Sequence, residues 1–214
     1  DALVLSHAEP VTQQKPKFMQ SAAEATGTQR GTATHVFLQF CEFASLRDNG
    51  FDAERERLLQ NGFLTPEDAA LIRRDWVQSF ANSALFSQIL ASKAVFREKR
   101  FHVMLPLCAL TAENRAQQGE VLVQGVVDCF FEAEDGTITV VDYKTDRILS
   151  GETRQAFCER MLARYASQLS YYRLACARMT GKRVGAVLLY AFALADTIEI
   201  PIKEEEYDFT SDAQ

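Results

Sequence analysis

Two acids and a lysine hold the chemistry in this sequence. Gln124-Gly-Val-Val-Asp128 ends on a carboxylate, and Val140-Val-Asp-Tyr-Lys-Thr145 carries a second at Asp142, with a basic group two residues on at Lys144. Both stretches are rich in residues that favour strands, and Glu134-Asp-Gly136 between them has the composition of a hairpin turn. Strands joined by that turn are antiparallel neighbours, so Asp128 and Asp142 can converge on one point. Strand alternation puts Lys144 on the same face as Asp142. Two apposed carboxylates repel each other and lose hydration on burial, so a cation belongs between them. Hard oxygen ligands suit Mg2+ or Mn2+. With a lysine to stabilise charge on a phosphoryl group, the set would serve phosphodiester hydrolysis by a metal-activated water. An isolated Asp-x-Lys is a common strand end with its charges in solvent. What separates this one is the acid at 128, set among Val126, Val127 and Cys129 on the partner strand.

Other elements must position these strands. Residues 1–25 are polar, with Pro10 and Pro16, and are expected to form an arm or linker. Gly27 and Gly31 should break the chain before a helix from about Thr32 to Ala44, on the spacing of Val36, Phe37, Phe40 and Phe43. A more polar segment follows from Asp48 to Gln60. Thr65-Pro-Glu-Asp starts a helix expected to reach about Ser79, with another from Ser83 to Ser92. Strands are expected over Val95–Leu105, Val121–Phe131 and Thr137–Tyr143. A long helix should run from Gly151 to Met179 and end at Gly181. Strands Val184–Ala193 and Thr197–Ile202 follow, then an acidic tail over residues 204–214. The order implies an α/β fold: a mixed β-sheet flanked by helices, with an N-terminal helical region, occupying residues 26–203.

Composition narrows the classes. The 214 residues are 47% hydrophobic and 24% charged, enough to bury a core without staples. No apolar run approaches the ~20 residues of a membrane span, and no signal peptide is read at the N-terminus. The five cysteines are scattered with no CxxC pair, against a zinc knuckle, an iron–sulfur clamp or a disulfide framework, and they suit a reducing cytoplasm. A net charge of −6 looks wrong for a nucleic-acid partner until it is divided. Residues 184–214 carry one base against seven acids, whereas residues 144–183 carry nine bases against three acids. That basic block can meet phosphate within an acidic chain, because screening limits distant charges to ~8–10 Å. Scattered arginines on a solvated helix face are the plainer alternative.

Four blocks give a resemblance. Gly31-Thr-Ala-Thr-His35, Arg97-Glu-Lys-Arg-Phe101, the paired Gln124–Asp128 and Asp142–Asp146 segments, and Tyr165-Ala-Ser-Gln-Leu-Ser-Tyr-Tyr172 resemble the RecB-type branch of the PD-(D/E)xK nuclease superfamily. Within it they are most similar to the C-terminal nuclease domains of AddA subunits of bacterial AddAB helicase–nucleases. The resemblance implies a restriction-endonuclease-like fold and a Mg2+-dependent (Mn2+-tolerant) DNA exonuclease acting in double-strand-break repair in the bacterial cytoplasm. It implies that His35, Asp128, Asp142 and the Tyr143 carbonyl hold metal, and that Lys144 is the catalytic lysine. Gln168 and Tyr172 match a Q-x-x-x-Y motif whose i,i+4 spacing shares a helix face. Arg160 and Arg164 continue that row, Arg164 as a DNA contact. Phe157, Met161, Tyr165, Leu169 and Cys176 form the opposite stripe, expected to pack on the sheet. Glu98 matches an acid near the active site, although an ion pair with Arg97 or Lys99 would explain it as well.

The partners implied are single-stranded DNA from an unwound duplex end, a helicase region of the same polypeptide, and an AddB-type subunit, with no membrane. Departures are also visible. Val127 stands where the superfamily's eponymous proline would be, and the cysteines of iron–sulfur relatives are missing. No Walker A pattern exists, so no ATP site is expected in these residues. Two rival readings stay open: a non-catalytic DNA-binding or scaffold relic of the fold, and a stand-alone nuclease of another PD-(D/E)xK type.

Overall fold

The computed structural model describes residues 22–107 and 119–202, with side chains from residue 27 onward. The first 21 residues of the expected arm and the whole acidic tail lie outside the described residues. Five helices come first: α1 (Ala22–Phe40), α2 (Phe43–Gln60), α3 (Pro66–Leu71), α4 (Arg74–Ala81) and α5 (Ala84–Ala91). Strands β1 (Ala94–Pro106), β2 (Glu120–Glu132) and β3 (Ile138–Lys144) follow, then the long α6 (Arg154–Thr180), β4 (Val184–Ala191) and β5 (Asp196–Glu199).

Side-chain caps set several of these boundaries, each contributing about 1 kcal/mol. The Thr65 hydroxyl accepts from the Asp68 N–H at 3.0 Å, and Pro66 occupies the first turn of α3. Ser83 caps α5 by accepting from Phe86 N–H, and Thr153 caps α6 by accepting from Ala156 N–H. Gly181 closes α6 in the left-handed conformation, at φ 64°.

The sheet runs in sequence order, β1-β2-β3-β4-β5. All neighbours are antiparallel except β3 and β4, which are parallel because α6 crosses between them. α6 covers one face, where Phe157, Met161 and Leu169 meet Val140, Val187 and Leu189. The N-terminal helices cover the other, where Phe37, Trp76, Phe80 and Phe86 meet Cys129, Val141, Tyr143 and Tyr190. The mixed sheet flanked by helices agrees with the fold class expected from the sequence.

Several boundaries differ from expectation. α1 runs unbroken through Gly27 and Gly31 instead of starting at Thr32. Glycine costs a helix about 1 kcal/mol, but a Cβ at residue 31 would stand 2.9 Å from Thr145 Oγ1, so this glycine permits a close approach. The chain turns at Cys41, ending the helix short of Ala44, and α2 starts at Phe43, kinked at Gly50. The helix expected over 65–79 breaks at Ile72 and Arg73, both extended in ψ. That change of axis lets Ile72 reach the same core as Trp76, Val77 and Phe80. β4 stops at Ala191 because the chain turns tightly there, with Leu194 N–H bonded to Ala191 carbonyl oxygen, and β5 is correspondingly shorter.

Candidate active site

β2 and β3 pair only from Cys129↔Val141 to Glu132↔Ile138. The next opposed residues, Asp128 and Asp142, sit where the two strands part. The Asp128 carboxylate bridges the gap by accepting the Tyr143 N–H at 2.8 Å. On its other side β2 pairs with β1 through Arg97↔Cys129 and Lys99↔Val127, which places Glu98 opposite Asp128 with no ladder pair. Glu98 has φ 48°, a conformation costing a non-glycine residue about 1–3 kcal/mol. Glu98, Asp128 and Asp142 therefore form one row across three strands.

The strands also change face at this row. In β2, Cys129 and Phe131 belong to the core under the N-terminal helices, whereas Val121 and Val123 belong to the core under α6. In β1, Arg97 reaches the end of α1, donating to the Leu38 and Cys41 carbonyls at 2.9 and 2.5 Å, whereas Phe101 joins the α6 side. The distal β1–β2 hairpin is thus twisted over toward α6. Gly125 is required in this arrangement, since a Cβ there would meet the Phe101 ring at 2.8 Å. Between the hairpin and α6 lies a cleft of about 480 Å3, lined by His35, Asp128, Asp142 and Lys144 at one end and by Phe101, Gln168 and Tyr172 at the other.

Helix α1 brings His35 to the acids. Its Nε2 lies 3.0 Å from the Tyr143 carbonyl oxygen, and its Nδ1 faces Glu98 at 3.7 Å and Asp128 at 3.6 Å. The His35 side chain is still 27% exposed, open to the cleft. His35, Glu98 and Asp128 can each offer a ligand atom within 4.8 Å of the others.

Asp142 is buried to 1% exposure beside them. The Lys144 ammonium lies 2.8 Å from its Oδ2, but neither Asp142 oxygen accepts a well-directed hydrogen bond. Lys144 is the cation beside it in this structure, and the remaining lone pairs of the carboxylate stay open to a second one. The donor set of carboxylates, one imidazole and a backbone carbonyl fits a hard divalent ion.

Without such an ion the site balances its charge with protons. Burial alone would lower the His35 pKa, but Glu98, Asp128 and Asp142 together hold it up at about 9. Burial, then the neighbouring Asp142 charge, pushes Asp128 up to about 7. Burial works against the Lys144 cation too, yet Asp142 and Asp128 raise its pKa. The Tyr143 carbonyl oxygen can only accept, so the His35 ring donates to it from Nε2.

His35 gains a proton affinity on folding, a contribution present below its ordinary 6.5 and lost as pH rises through about 9. Asp128 holds a proton that the unfolded chain releases near 3.8, so its burden on the fold grows as pH rises toward about 7. Both act in one direction. Thermal melts of the metal-free domain should show Tm falling between about pH 6 and about pH 9, above the range in which the other carboxylates titrate. A Tm that climbs across that interval would contradict the charge arrangement.

The structure regroups some expected residues. Glu98 is a full neighbour of His35 and Asp128, and Arg97 is engaged with α1 and the Phe43 ring, so the strand ion pair with Arg97 is not formed. Gln168 Nε2 donates to the Tyr172 hydroxyl at 2.7 Å, and both line the cleft. Arg164 reaches the cleft while donating to Asp146 at 2.8 Å. Arg160 does not continue that row into the cleft: Glu152 and the Arg147 carbonyl hold it against the preceding loop. Tyr165 does not simply pack on the sheet, because its ring lies under the Lys144 ammonium. Asp146, given no role from sequence, accepts from both Arg164 and Tyr165. Its acid-after-lysine position in Asp142-Tyr-Lys-Thr-Asp146 was the available signal.

A mixed sheet whose parting central strands present two acids and a lysine, facing a helix histidine, is the frame of a PD-(D/E)XK nuclease. The sequence profile of the PD-(D/E)XK nuclease superfamily matches residues 8–211, and the chain belongs to that superfamily. It is similar to the larger-chain relatives named as the A component of ATP-dependent helicase/nuclease. That of Acetivibrio thermocellus is 35% identical over 186 residues, covering 86% of this chain and 14% of the relative. That of Heliobacterium modesticaldum is 30% identical over 181 residues, covering 84% of this chain and 13% of the relative. That of Clostridium botulinum is 31% identical over 191 residues, covering 87% and 14%. The chain thus spans about one-seventh of the length of these curated relatives.

Proposed function

We propose that residues 26–203 are a divalent-metal-dependent deoxyribonuclease domain that degrades single-stranded DNA, using Mg2+ with Mn2+ as a substitute. The observation that carries this reading is the Asp142 carboxylate, buried without a directed hydrogen bond beside Asp128, His35 and Lys144 in one cleft. His35, Asp128, Asp142 and the Tyr143 carbonyl are the residues that would hold the ion, with Glu98 against His35. A divalent ion there supplies Lewis-acid polarisation of a phosphoryl oxygen and acidifies a water.

The chain's own groups do the rest. Lys144 sets a fixed ammonium at the cleft wall, where charge grows on the scissile phosphate. Asp128 takes the Tyr143 N–H and so fixes the strand end that carries the lysine. Tyr171 and Tyr172, both partly exposed in the cleft lining, offer aromatic faces to unpaired bases, which favours a single strand over a duplex. Arg164, half exposed at the rim, serves a neighbouring phosphate.

The similarity to the A components of helicase/nucleases supports a setting in which a helicase region of the same polypeptide supplies the strand and an AddB-type subunit completes the enzyme. Exonucleolytic processing of double-strand breaks for recombinational repair in the bacterial cytoplasm follows from that setting. Among the described residues no helix is long and apolar enough to cross a membrane.

The test uses end-labelled linear DNA, single-stranded and blunt duplex, with Mg2+, with Mn2+ and with excess chelator. Single strands should be degraded with either ion, duplex far more slowly, and chelator should stop both. Undiminished cleavage in chelator, or no cleavage by folded protein in enzyme excess, would overturn the reading.

A further inference from the structure

We propose that Tyr165 is a positioning residue for Lys144, its ring face holding the ammonium aimed into the cleft. The inference rests on the nuclease reading above and adds a part to it. Lys144 Nζ lies 4.4 Å from the Tyr165 ring centre and 2.8 Å from Asp142 Oδ2. If Asp142 is a metal ligand, its charge is committed to the ion and can no longer fix the lysine alone. The ring remains. A cation over an aromatic face is held more strongly when little water competes, and the Lys144 side chain is only 16% exposed.

The ring is itself anchored. The Tyr165 hydroxyl donates to Asp146 Oδ2 at 3.0 Å, and Arg164 donates to Oδ1 of the same carboxylate at 2.8 Å. Asp146 follows Lys144 by two residues, so helix α6 holds the chain at the lysine and just beyond it. Burial, then the Asp146 charge, pushes the Tyr165 phenol well above its ordinary range, so it stays a donor at any working pH. Tyr165 stands behind Lys144 and Arg164, both of which line the cleft, and is not itself part of that lining.

The test reads the lysine itself. In metal-free protein labelled with 13C-lysine, and with the signal assigned by its loss in Lys144→Arg, the Lys144 ε-methylene protons should be displaced upfield by the ring. Tyr165→Phe keeps the face and should keep both that displacement and kcat within about threefold. Tyr165→Leu should lose the displacement and lower kcat roughly 5- to 30-fold, with KM for DNA unchanged. Tyr165→Met replaces it if thermal melts show the leucine variant unfolded. An undisplaced wild-type signal, a displacement that survives the loss of the ring, or a Tyr165→Phe as damaging as Tyr165→Leu would overturn the proposal. Displacement without metal-dependent cleavage in the wild type would instead sink the nuclease reading.

Discussion

Lys144→Ala should lower single-turnover cleavage by about 10^2–10^3-fold or more while leaving divalent-metal affinity equal to or tighter than wild type. The first part follows from the lysine's place, an ammonium at the wall of the cleft beside both aspartates. The second follows from competition. Lys144 is the charge partner of Asp142 in the metal-free site, so its loss leaves that carboxylate seeking a cation. In the absence of metal the variant should be destabilised by about 3–5 kcal/mol, the usual cost of stranding one member of a buried pair. Cleavage is therefore compared at saturating Mg2+, with circular dichroism confirming the fold. Cleavage near the wild-type rate by the folded variant would remove Lys144 from the chemistry.

Asp128→Asn should separate metal binding from folding. Its carboxylate is burdened by burial and by Asp142, which hold its pKa at about 7. Asparagine keeps the shape and can still accept from the Tyr143 N–H, and it removes one of two repelling charges. Metal-free Asp128→Asn should therefore melt at or above the wild-type temperature at pH 8. Its Mg2+ affinity should fall by more than about 100-fold, since even outer partners of a metal ligand cost 10–100-fold. Cleavage should fall with it. Calorimetric titration showing unchanged affinity would end the ligand assignment.

The hairpin is legible in the sequence because it depends on local rules. Residues 121–131 and 137–143 are rich in Val, Phe and Ile, and Glu134-Asp-Gly136 turns the chain with Gly136 at φ 83°. Counting outward from the turn brings Asp128 level with Asp142. What local rules miss is where that ladder ends. The parting of β2 from β3 at those aspartates, and the left-handed Glu98 opposite, arise from the twist of the long β1–β2 arm toward α6.

His35 is legible only as part of a block resembling other nucleases, because a lone helix histidine has no distinguishing pattern. Gly31, four residues before it, reads as a helix breaker on propensity. Its real constraint is the 2.9 Å clearance to Thr145, a contact more than a hundred residues distant in sequence. Tyr165 sits on an apolar i,i+4 stripe and reads as core. At that point α6 passes the end of β3, whose last residue is Lys144, so the ring meets an ammonium there instead of an apolar strand.

The central claim is that the imidazole of His35 and the carboxylates of Asp128 and Asp142 share one divalent cation. Anomalous diffraction from crystals of the domain equilibrated with Mn2+ tests it most directly. The account predicts an anomalous peak within coordination distance, about 2–2.6 Å, of His35 and both aspartates, with the Lys144 ammonium in the same cleft. Ordered side chains with no peak among them at saturating Mn2+, or a peak elsewhere alone, would contradict it.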